Sequence, residues 1–385
     1  MDYQEKYNGF CDAMELINTQ GLDGIGHALQ ILINQAMVIE REKYLQAKPY
    51  ERSEERTGQA NGFKAKTVQT RVGALKLDVP QVRDSNFYPT SLEKGLRSER
   101  ALRVTIGEMY LQGISTRKVS AVIEEMCGFD VTSVQVSRAA AALDKEFDQW
   151  RNRPLGEYQY FICDARYESV RQGGCVVDCA VLIAIGVTPS GKREILGTSV
   201  SLSEAEVHWR DFFQSLQARG MHGLKLIVSD DHPGMKAARR AVFPSVPWQR
   251  CQFHLQQNAQ GYVPKKEMKK KVAASIRSIF HAPNRVEADR LLQNSVAYYE
   301  KEAPKLSAWM EENIPEGLTI FDFPEGHQKR LRTSNMVERL NKAIKKRTRV
   351  ATIFPNEASC LRLVTGVIME ISDEWITEKV YLKTE

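Results

Sequence analysis

No stretch of this sequence is apolar for long enough to span a bilayer, and its opening residues, MDYQEKYNGF, are too polar for a secretory signal. Cysteine is sparse and unpatterned. Cys11, Cys127, Cys163, Cys175, Cys179, Cys251 and Cys360 are odd in number and irregular in spacing, which excludes a disulfide framework and fits unpaired thiols in a reducing cytoplasm. Internal repeats and low-complexity tracts are absent, so neither a repeat array nor a disordered chain is expected. Charge of one sign is scarcely in excess: 54 Lys and Arg against 48 Asp and Glu leave a net +6. That balance alone identifies no partner.

What is present is 42% apolar residues, enough for packed cores, in a length of 385 that suggests two or three domains. Residues 1–50 are helical in period through Leu16, Ile17, Ile25, Leu29, Leu32, Ile33 and Ala36. Residues 51–97 change to a basic, Gly-containing segment. Leu75, Leu77 and Val79 alternate there with Lys76 and Asp78 as in a half-buried strand, and Gly73-Ala74 is placed to turn a hairpin. Arg56, Lys64, Lys66 and Arg71 would decorate this β-ribbon and contact DNA.

Residues 98–153 predict three helices. The first carries Leu102, Ile106, Met109 and Tyr110 and stops at Gly113. The second is capped by Ser115, carries Val119, Val122, Ile123 and Met126, and stops at Gly128. The third carries Val136, Ala140, Leu143 and Phe147. Two helices across a short Gly-containing turn outline a helix-turn-helix, with Ser133, Gln135, Ser137 and Arg138 where base-reading side chains sit. Any three-helix bundle has the same outline.

The polar segment RNRPLG at 151–156 marks a boundary, and residues 154–385 become α/β. Apolar strands at 158–163, 175–187 and 193–200 form a meander. A helix at 204–219, a strand at 224–228, a helix at 233–242 and a strand at 246–253 follow. Three antiparallel strands and then alternating helix and strand is the order of an RNase H-like domain. Residues 255–328, charged and punctuated by Pro264, Pro283, Pro304 and Pro315, form an all-helical insertion, after which a basic helix runs from about 335 to 347.

Three carboxylates stand out in this frame. Asp164 closes the first strand of the α/β segment, Asp230 closes the fourth, and Glu338 lies on the basic helix. Convergent carboxylates suit Mg²⁺, and two such ions can stabilise the attacking and leaving oxygens of a displacement at phosphorus. Each has a structural alternative: a turn residue for Asp164, helix caps for Asp230 and Asp231, a capping-box partner of Asn335 for Glu338. The face pattern favours chemistry for Glu338. Met336, Val337, Leu340, Ala343 and Ile344 make one side of the helix, and Glu338 lies on the other with Asn341, Lys342 and Lys345. From Lys329 to Arg349 that single acid stands among nine Lys and Arg. A lone carboxylate on a phosphate-binding face repels DNA unless a cation lies between them. Cys251 and His254 form a C-x-x-H pair, but no second pair follows, His281 and His327 being isolated. A buried Cys and a packing His are therefore favoured over zinc. His232 is placed to orient water or phosphate.

At these residues the chain resembles Mutator-type bacterial insertion-sequence transposases of the DDE class. The resemblance covers roughly residues 50–370. It is carried by ERTGQANGF, TRVGALKLDVPQVRDSNFYP, YLQGISTRKV, WRNRPL, ICDARYESVR, IVSDDHPGMKAA, WQRCQFHLQQN and RTSNMVERLNKAIKKRTRVATIFPNEAS. It implies an α/β RNase H-like catalytic domain with an all-helical insertion, preceded by a mainly helical DNA-binding region with a small β-ribbon and a helix-turn-helix. It assigns Asp164, Asp230 and Glu338 as the catalytic, metal-binding triad and marks Cys251 and His254 as a signature pair. Two Mg²⁺ ions, for which Mn²⁺ substitutes, would serve DNA nicking and 3′-OH strand transfer. Arg339, Lys342, Lys345 and Lys346 would hold phosphates. The partners implied are double-stranded DNA, as terminal inverted repeats and as target, and further copies of the chain in a dimer or larger assembly in the bacterial cytoplasm, with no membrane. One departure stands out: Asp231 replaces the glycine usual after the second Asp, which leaves open which neighbour holds metal, with Asp230 preferred as nearest the strand end. Two other readings compete: a DNA-binding repressor with an idle triad, and an RNase H-like nuclease for RNA–DNA hybrids or Holliday junctions.

Overall fold

The computed structural model describes residues 4–48, 51, 54–92, 94, 95, 97–349, 352–377 and 380–383. It is a mixed α/β protein of two compact units, one reaching Leu143 and the other starting at Asp144.

The first unit opens with α1 (Gln4–Gln20) and α2 (Ile25–Leu45), joined by a 3₁₀ turn at Gly21–Gly24. An antiparallel ribbon follows, β1 (Ala60–Thr70) and β2 (Gly73–Val82). Its alternation has a cause: Leu75, Leu77 and Val79 are buried with Met37 of α2, and the half-buried Leu29 and Ile33 of α2 pack against them. The ribbon and α2 thus share one core. The hairpin turns at Arg71-Val72, not at Gly73-Ala74, since Thr70 pairs with Gly73 and its hydroxyl donates to the Gly73 carbonyl at 2.8 Å. Packing on α2 sets this position. A Cβ on Gly26 would meet the Val72 carbonyl at 2.9 Å, so only glycine lets the turn approach so closely.

Three helices complete the unit: α3 (Arg100–Leu111), α4 (Thr116–Cys127) and α5 (Ser133–Ala141). Ser115 caps α4 by accepting from the Lys118 N–H, Gly128 ends it with φ +69°, and a reciprocal Thr132–Gln135 capping box opens α5. The buried stripe of α4 is Val119, Ile123 and Cys127, so Met126 is 65% exposed rather than in the core. The third helix is shorter than expected, and Phe147 lies on a new helix, α6 (Asp144–Arg151). At the start of α6, Asp144 accepts at both carboxylate oxygens from Arg362 of α15 (Glu357–Thr377), at 2.6 and 2.7 Å.

The second unit is built on a five-stranded sheet, β3 (Tyr160–Gln172), β4 (Cys175–Val187), β5 (Arg193–Ser201), β6 (Leu226–Ser229) and β7 (Trp248–Arg250), in the order β5-β4-β3-β6-β7. The first three strands are antiparallel, and β3, β6 and β7 are parallel. Between them run α7 (Glu206–Ala218) and α8 (Pro233–Val242), which bury Trp209, Phe213, Leu216 and Met235 with Phe161 and Ile227. Two strand ends differ from expectation. β3 continues to Gln172 in a long hairpin with β4, so Asp164 lies inside the strand, opposite Ile183. The segment at 246–253 is strand only over Trp248–Arg250, and α9 (Gln252–Ala259) begins ahead of residue 255, once the Cys251 N–H has closed on the Ser229 carbonyl at 2.7 Å.

Helices α9, α10 (Met268–Phe280), α11 (Arg285–Tyr299) and α12 (Pro304–Asn313) share a core of their own around Val272, Ile276, Tyr299, Leu306 and Met310. The chain then returns through α13 (Glu325–Leu331) and α14 (Asn335–Thr348) to α15. No helix among the described residues is long and apolar enough to cross a membrane.

Candidate active site

The parallel pairing of β3 with β6 ends at Ile162 and Val228. Asp164 and Asp230 each stand two residues beyond that last pair, at matching positions past the parallel part of the sheet. They interact. The Asp164 carboxyl is pushed up to about 7, first by burial and then by the charge of Asp230, while His254 and the Ala165 N–H pull it down.

A further carboxylate, not singled out in the sequence, joins them. Glu204 lies just ahead of α7 and is pushed up by burial, with Asp230 adding to the effect and with His232 and Tyr167 opposing it. His232 Nδ1 is 3.6 Å from Glu204 Oε2. In sequence Glu204 is simply an acid before a helix, where any carboxylate favours the dipole.

Asp231 is otherwise engaged. Its Oδ1 is 2.7 Å from Lys236 and its Oδ2 2.9 Å from Arg250, and both cations also bind Glu316 at 2.9 Å. Arg250 is 3% exposed in its side chain and forms the buried end of this ring, whose other members are partly exposed. Neither Asp230 nor Asp231 caps α8, whose N-cap is His232 with no side-chain bond.

Helix α14 docks on the aspartate pair through Asn341, whose amide donates to Asp164 Oδ2 at 3.0 Å, while Arg166 donates to the Asn341 carbonyl. Glu338, one turn earlier on the polar side, is half-buried. Met336, Val337, Leu340 and Ile344 are buried, and Arg339, Lys342, Lys345 and Lys346 are exposed. The capping-box role open to Glu338 is not adopted, because the helix begins after Ser334 with no side-chain cap. The Ser334 hydroxyl and N–H instead donate to Cys251 Sγ, at 3.3 and 3.4 Å. Since the Cys251 N–H binds Ser229, this one residue joins the neighbour of Asp230 to the start of the helix that carries Glu338.

Cys251 and His254 act on each other. The thiol is lowered despite its burial, because hydrogen bonds with His254 and Ser334 outweigh desolvation. The imidazole is raised to about 9 by its bond to Cys251, against burial, with help from Asp230 and Asp164. Among the described residues, no further Cys, His, Asp or Glu completes a metal-holding group with this pair.

Among the described residues, no three His, Cys, Asp or Glu side chains converge closely enough to hold a metal ion together. The structure brings Asp164 and Asp230 together, with His254 and Glu204 in their field. It carries Glu338 on the docked helix without closing it onto the pair. The donor chemistry fits a hard cation such as Mg²⁺: two carboxylates repel across a partly buried gap, and Asn341 Oδ1 beside them is buried without a partner.

In the first unit, Arg56 is tied to the Gly58 and Glu51 carbonyls, both at 2.8 Å, and Arg71 is paired with Glu99 at 3.0 Å. The Gln135 amide oxygen accepts from Thr132 in the capping box, so it does not offer the bidentate edge that reads adenine. Ser133, Ser137 and Arg138 are exposed on α5. Lys64, Lys66, Lys94, Arg97 and Gln135 line one cleft of about 860 Å³ that has no acid among its described lining residues.

The model of the family described as "Transposase, Mutator family" matches residues 5–378. The transposase for insertion sequence element IS406 of Burkholderia multivorans is 57% identical over 94% of this chain and 94% of its own length. The transposase for element ISRM5 of Rhizobium meliloti is 39% identical over 94% and 91%, and that for IS256 in transposon Tn4001 of Staphylococcus aureus is 38% identical over 90% of each. Among solved structures, a chain from a simian T-cell lymphotropic virus intasome complex matches with a TM-score of 0.19 at 9% identity, covering 54% of this chain and 66% of that one, a likeness too low to bear on the fold.

Proposed function

This chain belongs to the Mutator family of transposases, and we propose that it binds the terminal inverted repeats of an insertion sequence, nicks the DNA in a metal-dependent step and joins the freed 3′-OH to target DNA. The observation that carries this reading is the pair of aspartates at matching positions past the last β3–β6 pair, with α14 docked on one of them. The strand order, three antiparallel strands and then two parallel ones, supports an RNase H-like reading of the second unit, with α9–α12 as its insertion.

Asp164 and Asp230 would hold the metal, with Glu338 as the third ligand. Two Mg²⁺ ions, or Mn²⁺ in their place, would supply the charge that activates water and stabilises the oxygens at phosphorus. The protein's own part is positioning. Asn341 orients Asp164, Cys251 holds the start of α14 to the strand end beside Asp230, and Asp231 is kept out of the site by Arg250 and Lys236. Arg339, Lys342, Lys345 and Lys346 would meet backbone phosphates. The cleft of the first unit, with no acid among its described lining residues and with Lys64 and Arg97 exposed in it, favours the same unit as the reader of the repeats. Pairing two ends of an element calls for a dimer or larger assembly.

The test is cleavage and joining of duplexes that carry the element's own ends, with Mg²⁺, by wild type and by Asp164→Ala, Asp230→Ala, Asp231→Ala and Glu338→Ala. Joined products from wild type, and bound but uncut DNA with the Asp164, Asp230 and Glu338 variants, are expected. Binding without cleavage by wild type would favour the repressor reading. Preference for hybrids or junctions would favour the nuclease reading.

A further inference from the structure

Helix α9 starts directly after Cys251, and its first turn is tightly held. The Cys251 N–H donates to the Ser229 carbonyl at 2.7 Å, the Gln252 N–H to the Arg332 carbonyl at 3.0 Å, and the Gln252 side-chain amide to the Gly317 carbonyl at 2.8 Å. Leu255 and Ala259 bury the inner face of the helix in the core that α9 shares with α10–α12. Phe253, within this fixed turn, is nonetheless 50% exposed. Its ring centroid is 5.5 Å from that of His254, and the two rings meet at 65°, so they do not cover each other face to face. His254 itself lies in the field of Asp230 and Asp164. An open aromatic ring thus stands one side chain away from the aspartate pair.

A single exposed phenylalanine is ordinary on a protein surface. Two features set this one apart. The turn that carries it is rigid, so a partner that stacks on the ring does not have to order it first. The helix around it is also neutral. QFHLQQNA holds no Lys, Arg, Asp or Glu in a chain that is 26% charged, whereas α14 presents Arg339, Lys342, Lys345 and Lys346. Gln257, one turn on from Phe253 along the same face, is exposed, as is Asn258. Cations suit phosphates. An open aromatic face flanked by side-chain amides suits a nucleobase, which is flat and carries hydrogen-bonding edges. In a duplex those flat faces are closed by stacking, so the ring reaches one only where a base has left the stack. Asp164 is partly buried, and a phosphate that reaches it draws the strand away from its duplex path, which favours unstacking at the neighbouring nucleotide.

We propose that Phe253 stacks on an unpaired nucleobase beside the phosphate on which the carboxylates act, with the Gln257 amide at the edge of that base. The ring offsets the stacking that the base loses on leaving the duplex, and so holds the strand next to the reacting phosphate. The source of the base rests on the transposase reading; the open, rigid and neutral surface does not. A second copy of this chain is the other occupant that would cover such a ring, and the experiment separates the two.

The full chain is compared as wild type, Phe253→Ala, Phe253→Trp and Val286→Ser, the last altering an exposed apolar residue of α11 outside the site. Element-end duplexes carry 5-iodouracil in turn at each nucleotide flanking the cleaved bond, without divalent metal so that the DNA stays whole. Long-wavelength ultraviolet light joins that base to an aromatic ring stacked on it, and peptide mass spectrometry locates the bond. Affinity is read by fluorescence anisotropy with the flanking base pair either matched or mismatched, beside thermal unfolding and light scattering. Crosslinking should fall on Phe253, persist at the same position in Phe253→Trp and vanish in Phe253→Ala. Wild type should bind the mismatched duplex more tightly, since its base is already unpaired. Loss of one stacked base lowers affinity for that duplex by about 5- to 150-fold in Phe253→Ala, while Phe253→Trp and Val286→Ser stay near wild type and all unfold alike. Equal affinity of wild type and Phe253→Ala, or crosslinks that never reach this position, overturn the proposal. A change from larger species to monomer in Phe253→Ala, with DNA affinity unchanged, assigns the ring to contact between copies and overturns it as well. If wild type binds no element-end duplex, the transposase reading fails and this proposal falls with it.

Discussion

The Asn341 amide donates to Asp164 Oδ2 at 3.0 Å, and this bond makes the basic helix and the central strand one body where the chemistry is proposed. Asn341→Leu should keep the helix and lose the bond. A hydrogen bond to a carboxylate contributes about 1.5–3 kcal/mol, and outer partners of metal ligands typically change activity roughly 10–100-fold. Strand transfer should therefore drop within that range while duplex binding persists. Unchanged joining rates in Asn341→Leu would remove Asn341 from the positioning role.

The ring around Asp231 separates it from its neighbour. Asp231→Ala leaves the buried Arg250 short of a counter-charge, a change that costs roughly 3–5 kcal/mol in comparable buried pairs, less here because the carboxylate end of the ring is partly exposed. Asp230→Ala should leave thermal stability intact or raised and abolish joining. Coupling of Asp231→Ala with Glu316→Ala in a double-mutant cycle should be clearly non-additive, since both carboxylates share Lys236 and Arg250. An inactive but fully stable Asp231→Ala would mean that the motif is shifted by one residue.

The raised carboxyl of Asp164 has a stability consequence with a definite sign. Its ordinary value is 3.8 and in the fold it is about 7, so between these the folded protein keeps a proton that the unfolded chain has released. Without metal, the contribution of Asp164 to stability should thus be greatest below about pH 4 and decline as pH rises through 7, by about 1–3 kcal/mol after allowance for the partly exposed side chain. Chemical denaturation across that range should show this slope in wild type, a flatter one in Asp164→Asn, and its loss on adding Mg²⁺. Superimposable profiles for the two proteins would contradict the assignment.

Cys251 should be protected although its thiol is lowered from the ordinary value, because reactivity needs access as well as ionisation. Under native conditions iodoacetamide should label the exposed Cys11 and Cys175 first and leave Cys251 until the protein unfolds, as peptide mass spectrometry can follow. Cys251→Ala strips the acceptor from both donors of Ser334, an unsatisfied pair that costs about 1–3 kcal/mol, and Cys251→Ser should recover part of it. Early labelling of Cys251 would show that the start of α14 is not closed over it.

Much of the architecture was legible because its signals are local. Capping at Ser115, the stop at Gly128, the alternation of Leu75, Leu77 and Val79, and the apolar face at Met336, Val337, Leu340 and Ile344 each follow from residues within a few positions of one another. Where local signals erred, tertiary packing had overridden them. Gly73 was available to turn the hairpin, but the fit of Val72 against Gly26 moved the turn. The third helix ends at Ala141, and Asp144 opens α6 in the second unit, where it pairs with Arg362.

The sequence by itself determined that this chain has two aspartates at the ends of apolar segments, a carboxylate among cations on an amphipathic helix, and motifs in one order. Only the tertiary structure decided what those residues meet. Ser334 and Cys251 are 83 residues apart and Asn341 and Asp164 are 177 apart, while Asp231 and Asp230 are neighbours with opposite surroundings. Glu204 carries no mark in the linear text. The physical reason is range: propensity and periodicity act within a turn or a strand, whereas the field at a carboxylate is set by whatever the fold brings within a few ångströms of it.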